Sequence, residues 1–138
     1  MKQELDDLLS QRYPLTFAER NLSMQESCMY RGFSCDDGWF ALIDALCERL
    51  QFWSDNNRAP QVVAVQVKEK FGGLRFYRRG ADTEQRGMII MAQAMLLRIC
   101  EQCGKPGELK IHKHCVMTRC AAHMPPGAVS WGVEVKQG

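Results

Sequence analysis

Apolar residues along the chain change period several times, and each change predicts an element. Residues 2–11 carry Leu5, Leu8 and Leu9 at helical spacing, which predicts a short helix. Tyr13-Pro14 ends it, because a residue before proline is pushed out of the α region. Phe17, Leu22 and Met24 suggest a second short helix, with Ser23 as a candidate cap. Gly32 and the run Ser34-Cys35-Asp36-Asp37-Gly38 mark a loop. From about Gly38 to Ser54, Trp39, Leu42, Ile43, Leu46, Cys47, Leu50 and Trp53 form one wide apolar stripe. This predicts a long core helix, with Asp36 or Asp37 able to cap its free amides.

After the loop Asn56–Pro60 the period shortens to two. QVVAVQVKEKF reads as a strand with Val63, Val65 and Val67 on one face. Gly72-Gly73 supplies a turn, and LRFYRR returns with Leu74 and Phe76 inward, predicting a hairpin. Asp82 and Gln85 have capping-box spacing and open a helix that runs to about Ile99. Met88, Met91, Ala92, Met95, Leu96 and Ile99 line its expected buried side. Ile89, Ile90 and Leu97 widen that surface, so the helix should be covered on two sides, with methionines as adaptable core fillers. Met124-Pro125-Pro126-Gly127 closes the following segment. In the tail, Val129, Trp131, Val133 and Val135 alternate, predicting either an added edge strand or a mobile arm. The expected fold is α+β: helices packed on a small antiparallel sheet (residues 1–99), a C-terminal zinc-ribbon or treble-clef-like module (100–124) and a tail (125–138).

Chemistry enters through the cysteines. No apolar run approaches the roughly 20 residues of a membrane span. The acidic start MKQELDDLLS is unlike a signal peptide, so a cytoplasmic, non-membrane location is expected. In a reducing compartment clustered cysteines bind metal more often than they form disulfides. Four of the seven cysteines and all three histidines fall between residues 100 and 123. Cys100-x2-Cys103, then sixteen residues, then Cys120-x2-His123 is the spacing of a four-ligand zinc site. Gly104 permits the sharp turn past the second ligand. Cys115, His112 or His114 remain alternatives for one of the four places. Four protein ligands, three of them thiolates, leave no open position for a substrate and make a poor Lewis acid. The expected metal is thus one structural Zn2+.

Charge is uneven. Residues 1–60 hold six Lys/Arg against ten Asp/Glu, and residues 61–138 hold twelve against six. The hairpin concentrates Lys68, Lys70, Arg75, Arg78 and Arg79 beside Tyr77, Phe71 and Phe76. Cations among aromatics on a sheet suit single-stranded nucleic acid, and also suit the plain outer face of a half-covered hairpin. Lys105, Lys110, Lys113 and Arg119 would extend the basic surface onto the metal segment. Cys35-Asp36-Asp37-Gly38 reads as a helix cap, and Cys28, Cys35 and Cys47 as packing residues. The sequence carries no Ser/His/Asp set, phosphate-binding glycine loop or nuclease-like carboxylate arrangement, so no enzyme is expected.

The phrases CDDGWFALIDALCERL, QVKEKFGGLRFY and CEQCGKPG, followed by CAAH, resemble those of a family of small uncharacterised proteins common in bacterial and prophage genomes. The similarity spans about residues 28–124. Cys35-Asp36-Asp37 departs from the family's commoner Cys-Gly-Asp form. The resemblance implies metal binding at the Cys pairs and a phage-accessory origin. It implies no established activity; the closed metal site, the missing catalytic set and the apolar tail lead to the expectation of a non-catalytic zinc-stabilised protein that contacts a host protein or nucleoprotein complex, as phage accessory proteins do, counter-defence being one such role. The apolar tail around Trp131 is a further candidate contact. Direct binding of DNA or RNA through the basic hairpin and zinc face is the alternative.

Overall fold

The computed structural model describes residues 1–131. Its elements are α1 (Gln3–Arg12), β1 (Phe33–Ser34), α2 (Phe40–Asn56), β2 (Val63–Lys70), β3 (Gly73–Arg79), α3 (Thr83–Leu96), β4 (Glu108–His112), β5 (Cys115–Arg119) and β6 (Val129–Ser130). No helix among the described residues is long and apolar enough to cross a membrane.

The fold is α+β, with two three-stranded sheets, ordered β1-β2-β3 and β5-β4-β6. The first is mixed, not wholly antiparallel as expected. β2 and β3 form the predicted hairpin, but β1 lies parallel to β2, with Phe33 opposite Val67. The chain reaches β2 from β1 through α2, and such a crossover returns the strand in the same direction. A two-residue strand carries no readable period.

The hairpin differs from expectation in two places. Its turn is Phe71-Gly72, both at positive φ, while Gly73 already pairs with Lys70. Two successive positive φ values make the turn whose twist suits adjacent strands. On β2 the buried residues are Ala64 and Val67, with Val62 buried just before the strand, not a Val63-Val65-Val67 face. The register shifts between Ala64 and Gln66. This bulge inserts one residue and moves the buried set from even to odd positions.

Trp39, Ile43, Leu46, Cys47 and Leu50 of α2 and its entry turn are buried, as the stripe predicts. They join Leu9, Phe17, Phe33, Val67, Leu74, Phe76, Ile89 and Leu96 in one core. No second helix forms around Phe17. That segment is a series of turns in which Thr16 and Phe17 are buried and Leu22 and Met24 exposed. A single 3-10 turn follows at Cys28–Arg31, capped by Ser27 rather than Ser23. Phe17 meets the Phe33 ring edge-on at 4.9 Å. The buried Asp6 carboxylate accepts from Arg20 Nε at 2.8 Å and from the Phe33 amide at 3.2 Å. One buried carboxylate therefore ties α1 to the turn segment through Arg20 and to β1 through the Phe33 amide.

The capping box at Asp82 and Gln85 is present. Gln85 does more than cap: it is fully buried, and its amide nitrogen donates to Leu50 O and Ser54 Oγ of α2. α3 is not covered on two sides. Ile89, Ala92 and Leu96 face the core, whereas Ile90, Met91 and Met95 are exposed. Among the described residues α3 packs chiefly on α2 and β3, which together cover one face of it. Cys35 and Cys47 are buried as expected, but Cys28 is exposed.

Candidate metal centre

α3 runs directly into the candidate site. Leu97, Arg98 and Ile99 make a tight closing turn, and Cys100 opens a knuckle in which the Gly104 amide donates back to Cys100 O at 2.9 Å. Gly104 stands at φ +80°, where a side chain would be strained. β4 and β5 then form a hairpin around Lys113-His114, both at positive φ. Cys120–His123 is a second turn, closed by amides of His123 and Met124 donating to Cys120 O at 3.1 and 2.9 Å. It is one helical turn and not a longer helix. β6 pairs with β4, so Val129 and Ser130 are an added edge strand. The predicted alternation at Val133 and Val135 lies outside the described residues.

These turns converge Cys100, Cys103, Cys120 and His123, whose ligand atoms all lie within 4.8 Å of one another. Cys103 Sγ is 3.6 Å from Cys120 Sγ. His123 Nδ1 is 3.6 Å from Cys100 Sγ and 3.2 Å from Cys120 Sγ. A tetrahedral zinc ion with sulfur and nitrogen bonds of ordinary length needs ligand-to-ligand edges of about 3.5–3.8 Å. The donor set fits such an ion: two of the three measured edges have that length, the Cys120–His123 edge is shorter, and the set as a whole is slightly wider than a closed tetrahedron. Burial opposes ionisation of Cys100, yet the backbone amides of Cys120, Cys103 and Gln102 point at its sulfur and bring the thiol down to about 6. A site prepared for thiolate is prepared for a cation. The alternatives sit elsewhere: His112 pairs with Cys115 beside the β4–β5 turn and His114 is in that turn, and none joins the cluster.

The knuckle is built against the core. The Gly38 amide donates to Glu101 O at 2.7 Å, and Trp39 Nε1 donates to Ile99 O at 2.9 Å. A Cβ on Gly38 would lie 2.3 Å from Cys100 O and 2.6 Å from Gly104 N. Asp36 and Asp37 consequently do not cap α2. The Asp36 amide donates to Glu101 Oε2, and Asp37 Oδ1 accepts from the Lys2 amide. Glu101 is nearly buried, which pushes its carboxyl up to about 7 against the opposing pull of the Asp36 amide. On the other side Thr118 Oγ1 donates to Gly72 O at 2.6 Å. A Cβ on Gly72 would strike Leu109, 2.4 Å away. The two phrases Asp-Asp-Gly-Trp and Phe-Gly-Gly are thus docking contacts for the metal segment. Sequence reading assigned the first to helix capping and the second to a turn alone. Gly38, a glycine followed by a core tryptophan, was the available signal.

The basic residues divide between faces. Lys68 is opposite Arg75 and Gln66 opposite Tyr77, placing them with Lys70 on the side of β2–β3 away from Val67, Leu74 and Phe76. Lys68 Nζ lies 5.9 Å from the Tyr77 ring centre. Arg79 is on this side but pairs with the buried Glu19. Arg78 alternates onto the opposite face with Leu74 and Phe76, and its Nε is buried without a partner. The expected five-cation surface is therefore Lys68, Lys70 and Arg75, plus a neutralised Arg79. A groove of about 490 Å³ runs beside it, floored by Gln66, Lys68 and Tyr77 and walled by residues 24–28. On the metal segment Lys110 lies 3.7 Å from Glu108, and Arg119 lies 4.0 Å from Asp36. Trp131 follows β6 and is exposed. No protein-family model matches this chain, and neither a curated protein nor a solved structure matches it.

Proposed function

We propose that this chain is a non-catalytic binding protein, stapled by one zinc ion at Cys100, Cys103, Cys120 and His123, that acts by stoichiometric contact with an acidic surface of a host protein or nucleoprotein complex. The resemblance of its phrases to prophage-encoded proteins accords with that role. The observation carrying the reading is the partly open outer face of β2–β3. Lys68, Lys70 and Arg75 share it with Tyr77, and none of the three cations pairs with a carboxylate among the described residues. An aromatic ring flanked by unpaired cations is a surface that gains from meeting negative charge. The zinc ion would supply cross-linking only, since four protein ligands complete its shell.

The second reading, direct binding of single-stranded nucleic acid, draws on the groove beside Tyr77, where a base can stack while Lys68 meets phosphate. A single variant, Lys68→Gln with Arg75→Gln, tests the face. Both side chains are half-buried without a carboxylate partner, and these changes should cost at most about 1 kcal/mol of stability. A partner captured from host lysate by the wild type should be lost by the variant. Electrophoretic shifts of DNA and RNA probes at low salt decide the second reading, and binding there must weaken as salt rises. If the variant captures everything the wild type does, the face is not the contact. Metal analysis should find one zinc per chain.

A further inference from the structure

α3 turns away from the sheet a face that its own chain does not cover. Ile90 is 65% exposed, Met91 63% and Met95 43%. Gly87 and Ala94 are exposed between them, and a Cβ built on Gly87 would meet nothing within 4 Å. At helical pitch Gly87, Ile90, Met91 and Ala94 fall within an arc of about 100°, and Met95 widens it to about 140°. The core is served by the opposite side, through Gln85, Ile89, Ala92 and Leu96. A continuous apolar stripe is more than the scattered exposed residues of an ordinary surface. Its ends are charged and opposite in sign. Glu84 lies seven residues before Met91, and Arg98 lies seven after it. Seven residues is close to two whole turns, so Glu84 stands on the Met91 side of the helix, and Arg98 follows in the closing turn just past the C-terminal end of α3. Both are exposed, and neither forms an ion pair among the described residues.

This pattern is complementary to itself when reversed. We propose that the outer face of α3 is a self-association surface, through which two copies of the chain pair as antiparallel helices about a twofold axis at Met91. A twofold interface brings one patch against its own copy, so a residue some distance before the axis meets the residue equally far after it. Met91 then meets Met91. Gly87, four residues before, meets Met95, four residues after, and the missing side chain at Gly87 makes room for the methionine. Glu84 meets Arg98 at both ends. A parallel pairing would set Glu84 beside Glu84 and Arg98 beside Arg98. Methionine suits the seam because its flexible side chain packs against itself in several rotamers. One helix face is smaller than a standard interface, so the dimer is a weak, reversible one.

Sedimentation velocity of the full, metal-loaded chain over a concentration series tests this. The wild type should pass reversibly from monomer to dimer below about 1 mM. Met91→Lys sets two cations on the axis and should raise the dissociation constant at least about 100-fold. Glu84→Arg alone should weaken association about tenfold, and adding Arg98→Glu should restore it, since both end pairs re-form with signs exchanged. Unchanged metal content and circular dichroism establish that each variant is folded. A chain that stays monomeric overturns the proposal and leaves the face to a different partner. A dimer indifferent to Met91→Lys overturns it as well. So does a dimer that Met91→Lys breaks but that the double charge reversal fails to restore, because that dimer is not the antiparallel pair.

Discussion

The helix-and-sheet core and the metal segment are held together by different means. The core buries Trp39, Leu9, Met29, Ile43, Leu50, Leu74 and Leu96 almost completely. In residues 100–124 only Cys100, Glu101, Thr118 and Cys120 are buried. Two of those are candidate ligands, and two are polar groups bonded to the core. Leu109, Ile111, Val116 and Met117 are only partly covered. Burial of apolar area can stabilise the first region unaided. The second is too small to do so, which is the usual circumstance of a metal staple. The difference teaches that the two regions, joined at a few close backbone contacts, differ in how far apolar burial can account for them, and that the proposed zinc would make up the difference in the second.

The strongest way to break the comparison is to remove the proposed zinc staple. Structural zinc contributes roughly 10–16 kcal/mol of apparent binding energy to small modules. Cys103→Ser, at an exposed ligand position, should abolish stoichiometric zinc and expose the amides of β4 and β5 to hydrogen exchange. Protection at Val67, Phe76 and Ile89 should persist. Full zinc content with unchanged exchange would falsify the ligand set. Loss of protection everywhere would show that the core depends on the metal too.

Gln85→Ala attacks the other region. It deletes the side chain that joins α3 to α2 at Leu50 O and Ser54 Oγ and accepts from the Asp82 amide. Lost hydrogen bonds and a cavity together should cost about 3 kcal/mol in denaturant unfolding. Zinc affinity should hardly move. A large drop in affinity would mean that the regions are not energetically separate.

Gly38→Ala strikes the junction. The added methyl meets backbone atoms of Cys100, Glu101 and Gly104, which cannot swing aside like a side chain. Overpacking of this kind costs about 1–3 kcal/mol. Unlike Gln85→Ala, it should lower both unfolding stability and zinc affinity. An effect on one without the other would argue that the knuckle and α2 are less tightly coupled than their contacts suggest.

What could be read beforehand follows the same division. The α2 stripe and the capping box were legible because a helix repeats its instructions every turn, and both are local. The four converging residues were legible because x2 spacing prescribes a turn by itself. The β2 face was misread because a single inserted residue at Val65 inverts every later position, and nothing in a valine run marks the insertion. The burial of Met91 and Met95 was misread because hydrophobicity says that a side chain can be buried, not that the chain provides a cover. Gly38 and Gly72 were read as local turn or cap residues, whereas their lack of a side chain answers to atoms more than 35 residues away in the sequence.

The mildest perturbation tests whether that junction is directional. Trp39 is fully buried in the core, yet its indole donates to Ile99 O one residue before the first candidate ligand. Trp39→Phe keeps an aromatic ring in the core and removes the donor, along with some packing. The expected cost is about 1–2 kcal/mol, near that of one buried hydrogen bond and some lost contact. Because α3 is anchored independently through Gln85, the deficit should appear at the Ile99–Cys100 junction. Hydrogen exchange should therefore quicken at Cys100 and Glu101, whose amides donate to Lys105 O and Thr118 O, more than at Ile43 or Leu46. The opposite order, with α2 loosening first, would mean that Trp39 matters to the metal segment only through the stability of the core beneath it.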